Sequence, residues 1–287
     1  MPVRVGVTLG DPAGIGPEVI DAVLSSGKLP AQAQVTVIGE RGDVTPGKPT
    51  RASAIAALEA MEEAARLAKA GEIDAIVTGP IHKARMAEAG FPFPGQTEFF
   101  AARFGATNYA MLLTAEPITV GLVTTHIPLR DVATTLSTSD IVRVGRLLAR
   151  FLEQRGKAAP RIAVAGLNPH AGESGCLGRE EIEIIEPAVR QLESGKPASF
   201  EGPLSPDTLF FHLAAGKWDA ALCMYHDQGL IPLKLLGFDH GVNVTLGLPC
   251  PRTSPDHGTA FDIAGENLAR PDSMLAAIRL AAELAGK

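Results

Sequence analysis

The stretch "AALCMYHDQGLIPLK", residues 220–234, passes without a break from apolar residues into an imidazole, a carboxylate and an amide, with an ammonium closing it at Lys234. A short run that is apolar throughout reads as a strand buried on both faces, the kind found in parallel sheets covered by helices. Polar residues crowded at its carboxyl end then stand where open parallel sheets bind their ligands. Working outward, "VRVGVTL" (3–9), "VTVIG" (35–39), "IDAIVTG" (73–79), "ITVGLVTT" (118–125) and "RIAVAGLN" (161–168) repeat the pattern and alternate with segments of helical period. That rhythm predicts an α/β fold with a largely parallel sheet. In "IGPEVIDAVLSS" (15–26), Ile15, Val19 and Val23 recur every fourth residue, with Pro17 in the first turn and Glu18 near the positive end of the dipole. "ASAIAALEAMEEAARLAKAG" (52–71) places Ile55, Leu58, Met61 and Ala65 on one stripe and stops at Gly71. "TSDIVRVGRLLARFLEQRG", "GREEIEIIEPAVRQLESG" and "SMLAAIRLAAELAGK" read as further helices.

A chain of 287 residues has room for one large α/β unit or two domains of ordinary size. The net charge of −6 and the lack of any Lys/Arg run argue against a nucleic-acid partner. A small anion is a different matter, because a few local cations outweigh a mildly acidic surface. Cys176, Cys223 and Cys250 are odd in number and widely spaced, so no disulfide framework or C-x-x-C motif is legible and reduced thiols are expected. With no apolar stretch of membrane length and no charged-then-apolar leader, the expectation is a cytoplasmic protein without a membrane partner. The Gly-, Pro- and charge-rich "GERGDVTPGKPTRA" (39–52) reads as an exposed connection, and no linker marks a domain boundary.

Three of the seven histidines, His126, His170 and His226, follow strand ends. One such histidine usually serves as a hydrogen-bonded structural residue. Three at equivalent places also make a donor set for a divalent ion, with positions left for substrate. Their separations of 44 and 56 residues match no local ligand motif, so both readings stand on the residues alone. His82, His212 and His240 lie off the strand ends and keep the structural reading. The glycines of "GDPAGIG" at 10, 14 and 16 form G-x-x-x-G-x-G and not the G-x-G-x-x-G fingerprint, which leaves a phosphate cradle or a tight turn with close helix–strand packing. Lys83 alone reads as a solvated cation, and "GQTEFF" supplies Gln96, Thr97 and Glu98. Lys234, Asn243 and Arg252 fall at nine-residue steps through a Gly- and Pro-rich stretch that reads as loops. Such groups grip a phosphate or carboxylate when they converge, and are surface decoration when they do not.

Taken together, "GDPAGIGPE", "TGPIHK", "GQTEFF", "TTHIPLR", "LNPHAGE", "YHDQGLIPLK", "GVNVTLGLP" and "RTSPDHGTAFDIAG" resemble the 4-hydroxythreonine-4-phosphate dehydrogenase family of pyridoxal phosphate biosynthesis, in that family's order from residue 10 to 265. The last block also resembles the cofactor loop of isopropylmalate and isocitrate dehydrogenases. The resemblance implies a two-lobed α/β/α subunit with largely parallel sheets, isopropylmalate-dehydrogenase-like, and an active cleft between lobes. Residues 1–120 with 243–287 would form the cofactor-side lobe, and 121–242 the dimer-forming, metal-binding lobe. It further implies a homodimer in which ligands from both subunits meet. His126, His170 and His226 become ligands of one divalent ion, zinc, magnesium or cobalt. Gln96, Thr97, Lys234, Asn243 and Arg252 become substrate contacts, and His257, Gly258, Asp262 and Asn267 line NAD or NADP. Asp227 and Lys83 are the acid–base candidates, with Asp227 alternatively orienting the ring of His226.

The implied reaction is oxidation of 4-phosphooxy-L-threonine at C3, followed by decarboxylation. Two departures stand out. Gln96 occupies the place of the family's usual histidine, an amide that donates but cannot titrate, and the chain is short around 39–52. Related substrates, D-threonate 4-phosphate or an aromatic cis-dihydrodiol carboxylate, therefore remain alternatives, as does a non-catalytic metal- or anion-binding relic.

Overall fold

The computed structural model describes residues 2–195 and 197–286. The first half of the chain runs β1 (Val3–Thr8), α1 (Gly16–Ser25), β2 (Ala33–Ile38), α2 (Arg51–Lys69), β3 (Ala75–Thr78), α3 (Lys83–Glu88), α4 (Gln96–Phe104), β4 (Ala110–Ala115), β5 (Ile118–Leu122), α5 (Leu129–Thr135) and α6 (Thr138–Gln154). It continues through β6 (Arg161–Ala165), α7 (Glu186–Glu193), β7 (Ser199–Leu204), α8 (Pro206–Ala214), β8 (Ala220–Cys223), α9 (His226–Gly237), β9 (Val242–Leu246), β10 (Arg252–Pro255) and α10 (Asp272–Ala285). Two compact units result, one of Met1–Thr107 with Asp239–Lys287 and one of Asn108–Phe238. The chain passes between them at 107/108 and 238/239, whereas the sequence reading set the passages at 120/121 and 242/243. The first difference has a local cause: β4 pairs antiparallel with β5, Leu113 opposite Val120, so both strands belong to the second unit.

In the first unit the strand order is β2-β1-β3-β10-β9. β1 lies parallel to β2 and β3, with Val5 opposite both Val35 and Ala75. β10 runs parallel to β3 and antiparallel to β9, which sets Arg252 beside Ile76 and Thr245. Val5, Val7, Ile76 and Val77 are fully buried, as expected of strands covered on both faces. On α2 the buried side chains are Ala54, Ala57, Met61, Ala64 and Ala65, while Ile55 and Leu58 are only partly buried. The buried stripe is thus set by small residues that let the helix approach the sheet. Thr50 caps α2 by accepting from the Ser53 N–H, and Ser53 returns the bond to the Thr50 N–H.

The second unit orders its strands β4-β5-β8-β6-β7, all parallel except the β4–β5 hairpin. Its core gathers Leu113, Ile118, Val120, Ala221, Leu213, Trp218 and Leu233. All four residues of "AALC" are buried, which bears out the reading of that run as an interior strand.

The stretch from 229 to 252 corrects the reading of Lys234, Asn243 and Arg252 as loop residues. Lys234 lies on α9, Asn243 on β9 and Arg252 on β10. Residues 39–52 are a connection, as read, up to the start of α2 at Arg51. The glycines of "GDPAGIG" serve close packing. A Cβ on Gly16 would stand 2.1 Å from the Leu9 carbonyl oxygen, one on Gly14 would stand 2.7 Å from that of Thr259, and Gly10 has φ +74°. The three cysteines are free, and burial pushes the Cys250 thiol up to about 11. Among the described residues no helix is long and apolar enough to cross a membrane.

Candidate active site

The carboxyl ends of β5, β6 and β8 deliver His126, His170 and His226. One main-chain and one side-chain bond hold the first and third together: the Val123 N–H donates to the Cys223 carbonyl at 2.9 Å, and the Thr124 hydroxyl donates to the Met224 carbonyl at 2.7 Å. Gln228 locks the arrangement from beneath. Its Oε1 accepts from the Met224 N–H at 2.7 Å, and its Nε2 donates to the Gly166 carbonyl at 2.6 Å, tying the β8 end to the loop that carries His170. The sequence reading quoted Gln228 and gave it no role. Only its burial shows that both ends of the amide are in use.

The rings of His126 and His226 are 5.6 Å apart between centroids, tilted by 47°. His226 begins α9, and its Nδ1 lies 2.7 Å from Oδ1 of Asp227. With Nδ1–H donated to that carboxylate, Nε2 is the nitrogen left for a ligand. His170 repeats the device with Glu173, Nδ1 to Oε1 at 2.9 Å. It borders a pocket of about 390 Å³ whose walls include Asn168, Pro206, Asp207 and Tyr225. There the Ser205 hydroxyl, 2.6 Å from Asp207, holds that carboxyl below its usual range, helped by His170.

The turn that carries His170 is unusual. Residues 170–174 all have positive φ, between 44° and 80°, and only Gly172 among them is glycine. A left-handed conformation costs about 1–2 kcal/mol for each residue with a Cβ. Hydrogen bonds around the turn offset that cost. Oε1 of the buried Glu181 accepts from the N–H groups of Leu167 and Asn168 at 2.7 and 2.8 Å, and its Oε2 accepts from Asn168 Nδ2 at 2.9 Å. A Cβ on Gly172 would stand 2.6 Å from Oε2 of Glu181, so the turn closes only around glycine there. Strain concentrated on a histidine-bearing loop marks a place where a precise side-chain position is worth stability.

Two imidazoles on one tetrahedral ion, with bonds of about 2 Å, have centroids about 5 Å apart. The His126–His226 spacing fits that arrangement, and imidazole nitrogen is a donor that zinc and cobalt accept. His170 stands apart: among the described residues of one chain, no three His, Cys, Asp or Glu side chains are placed to hold an ion together.

The first unit builds a different site around Arg252. The side chain rises from β10 and is only 2 % exposed. Its Nη2 donates to the Thr78 hydroxyl at the end of β3 and to Oε1 of Gln96 at the start of α4. Nη1 donates to the Thr245 hydroxyl at 3.2 Å, and that hydroxyl is 3.3 Å from the Thr97 hydroxyl. Nε has no hydrogen-bond partner. Burial pushes the guanidinium down to about 9, with the Glu98 carboxylate pulling the other way. No carboxylate of a described residue pairs with it directly. Asn243, on β9 opposite Ser254, likewise leaves its buried Oδ1 without a partner. Lys83, exposed at the start of α3, lies alongside Gly95. Lys234, on α9 of the other unit, sets its ammonium 5.7 Å from the ring centroid of Phe238.

The loop after β10 holds His257, Gly258, Asp262 and Asn267. Nδ1 of His257 lies 3.1 Å from the Gly258 carbonyl, its Nε2 is buried without a partner, and burial pushes the ring's pKa down. Gly258, Asp262 and Asn267 are exposed, and Asn267 sits in the left-handed region at φ 56°. The loop leans on the start of α1: the Gly265 N–H donates to Glu18 at 2.7 Å, and the Ile15 N–H donates to the Thr259 carbonyl at 2.9 Å. Glu18, acidic in the first turn of α1 as read from sequence, also anchors this loop.

Mostly parallel strands with imidazoles and a carboxylate beyond their carboxyl ends make an α/β protein whose ligand chemistry stands where open sheets of this class bind their ligands. The family model for pyridoxal phosphate biosynthetic protein PdxA matches residues 17–281. The 4-hydroxythreonine-4-phosphate dehydrogenase of Zymomonas mobilis is 42% identical over 318 aligned residues, covering 97% of this chain and 95% of that protein. The crystal structure of 4-hydroxythreonine-4-phosphate dehydrogenase from Klebsiella pneumoniae matches with a TM-score of 0.82 and 38% identity, covering 99% of each chain. A terephthalate 1,2-cis-dihydrodiol dehydrogenase from Burkholderia xenovorans LB400 matches with a TM-score of 0.70 and 28% identity, covering 99% of this chain and 98% of that one. The chain belongs to the PdxA family.

Proposed function

We propose that the protein oxidises 4-phosphooxy-L-threonine at C3 with NAD and a divalent metal ion, giving 2-amino-3-oxo-4-phosphooxybutanoate, which then loses carbon dioxide to leave 3-amino-2-oxopropyl phosphate. The observation that carries this reading is Arg252, a buried guanidinium with neutral acceptors only, whose missing counter-charge is an anionic ligand. The relatives named 4-hydroxythreonine-4-phosphate dehydrogenase support the choice of a phosphorylated amino acid.

When bound, a divalent ion supplies Lewis acidity at the C3 oxygen and the nicotinamide accepts hydride. His126 and His226 would hold the ion, and Asp227 fixes the His226 ring so that Nε2 faces it. Arg252 binds the substrate anion with its fork aligned by Thr78 and Thr245, while Thr97 buttresses Thr245. Asn243 offers its unpartnered Oδ1 to a substrate donor, and Lys234 and Lys83 supply further cations, Lys83 also a proton carrier. On the cofactor side, Nε2 of His257 is a buried acceptor suited to an amino group of adenine, with Gly258, Asp262 and Asn267 along the same loop.

A second copy of the chain completes the metal site in this reading. His170 is 63% exposed on its left-handed turn, so the turn displays the imidazole outward instead of toward His126 and His226. On α9 and the residue that follows it, Ile231, Leu235 and Phe238 form an exposed apolar stripe at i, i+4 and i+7, with Leu235 83% exposed. That stripe is a surface for a homodimer built by the second unit. Free, reduced cysteines suit the cytoplasm.

The test is NADH formation across 4-phosphooxy-L-threonine, D-threonate 4-phosphate and an aromatic cis-dihydrodiol carboxylate, with NADP run in parallel. The amino acid phosphate is expected to give the highest kcat/KM, with inorganic phosphate competing against it. Faster turnover of the dihydrodiol, indifferent to phosphate, would overturn the reading in favour of the activity for which the Burkholderia relative is named.

A further inference from the structure

Gln96 carries a feature that the family resemblance does not explain. Both ends of its amide are bonded within the protein, which leaves one Nε2 hydrogen for any other partner. Oε1 accepts from Arg252, and Nε2 donates to the Gly79 carbonyl at 3.0 Å. Gly79 is itself fixed, its N–H donating to the Thr8 carbonyl at 2.9 Å. The amide is therefore a strut between the end of β3 and a guanidinium that is 2 % exposed.

The chemistry of the strut matters more than its shape. A buried cation is costly without a counter-charge, and the ordinary remedy is a carboxylate on the neighbouring position. Here Thr78, Thr245 and Gln96 satisfy the N–H groups with neutral oxygens, and Nε is left without a partner. Glu98, two residues along α4, acts on Arg252 through space without bonding to it. Hydrogen-bond geometry is thus provided while the positive charge is left intact.

We propose that Gln96 is a positioning residue that, with Thr78 and Thr245, holds Arg252 through neutral oxygens and keeps it without a directly bonded carboxylate, ready for the anionic group of the substrate. The inference rests on the reading of Arg252 as the anion site.

The experiment compares Gln96→Glu, Gln96→Met and Arg252→Ala in the full-length protein, using inorganic phosphate as the calorimetric probe, NAD affinity as the control and melting temperature as the structural readout. Gln96→Glu is isosteric and places a carboxylate on the guanidinium. Its phosphate Kd is expected to rise at least about 30-fold, with NAD affinity unchanged; the new carboxylate also turns an oxygen toward the Gly79 carbonyl, so its melting temperature is expected to fall, by no more than that of Gln96→Met, which loses the same bond. Gln96→Met removes the acceptor but no charge, so its melting temperature should fall while phosphate affinity stays within about fivefold of the parent. If Gln96→Glu keeps the parent's phosphate affinity, or if Gln96→Met loses as much phosphate affinity as Gln96→Glu does, as a damaged strut would, the proposal is overturned. If Arg252→Ala leaves phosphate binding unchanged, the anion reading itself falls and takes the proposal with it. A loss in Arg252→Ala alongside retention in Gln96→Glu sinks the proposal only.

Discussion

Replacing Arg252 with alanine is expected to raise KM for the phosphorylated substrate by at least about 30-fold, equivalent to about 2 kcal/mol and the lower end of what truncating one partner of a buried charge pair costs. KM for NAD should move by less than about twofold, because no residue assigned to the cofactor touches the guanidinium. The reasoning starts from burial. The side chain is 2 % exposed and bonded to Thr78, Thr245 and Gln96, so water cannot take its place and screen the site after truncation. Inside such a site an anion feels the charge at far less than the dielectric of water. Three hydroxyl or amide oxygens would also be left facing a cavity, an arrangement that repels an anion. Steady-state kinetics with each substrate varied in turn checks the split. Equal effects on both constants would mean that Arg252 supports the fold and not the substrate.

The second large effect is expected at His170, where activity and stability should move in opposite directions. Changing His170 to glycine relieves a left-handed residue, worth about 1–2 kcal/mol, against about 0.5–1 kcal/mol of extra chain entropy lost by glycine on folding. The net is a protein as stable as the parent or more stable by up to about 1.5 kcal/mol, which denaturant titration resolves. Metal-dependent turnover should fall by more than the roughly 10–100-fold typical of deleting a residue that only orients a ligand. The exposed side chain touches little core, so the two results together would separate a functional histidine from a structural one. A variant that lost stability but kept turnover in the presence of a chelator would reverse the assignment.

Much of the scaffold was legible because burial and period agree there. The runs 3–9 and 73–79 are mostly apolar and 220–223 is apolar throughout; they carry β1, β3 and β8, and Pro17 and Gly71 mark helix ends as expected. What escaped was written in site residues. α4 opens with Gln96, Thr97 and Glu98, and α9 with His226, Asp227 and Gln228, so neither helix announces itself by apolar period, and Pro232 further obscures α9. β9 and β10 were hidden in the same way. Asn243 and Arg252 are polar residues on interior strands, and they break the apolar pattern by which such strands are read. The left-handed turn has no local signal at all. Histidine, alanine, glutamate and serine do not favour positive φ, and the Glu181 network, seven or more residues away, supports that conformation.

The three histidines were legible as strand-end residues, yet the structure brings only His126 and His226 together in one chain. Anomalous diffraction from crystals grown with zinc or cobalt addresses that division most directly. The expected result is one peak per site within bonding distance, about 2.0–2.1 Å, of Nε2 on His126 and His226, with His170 of a second copy as the third ligand. Peaks bound to His170 alone, or none beside the His126–His226 pair, would contradict the account.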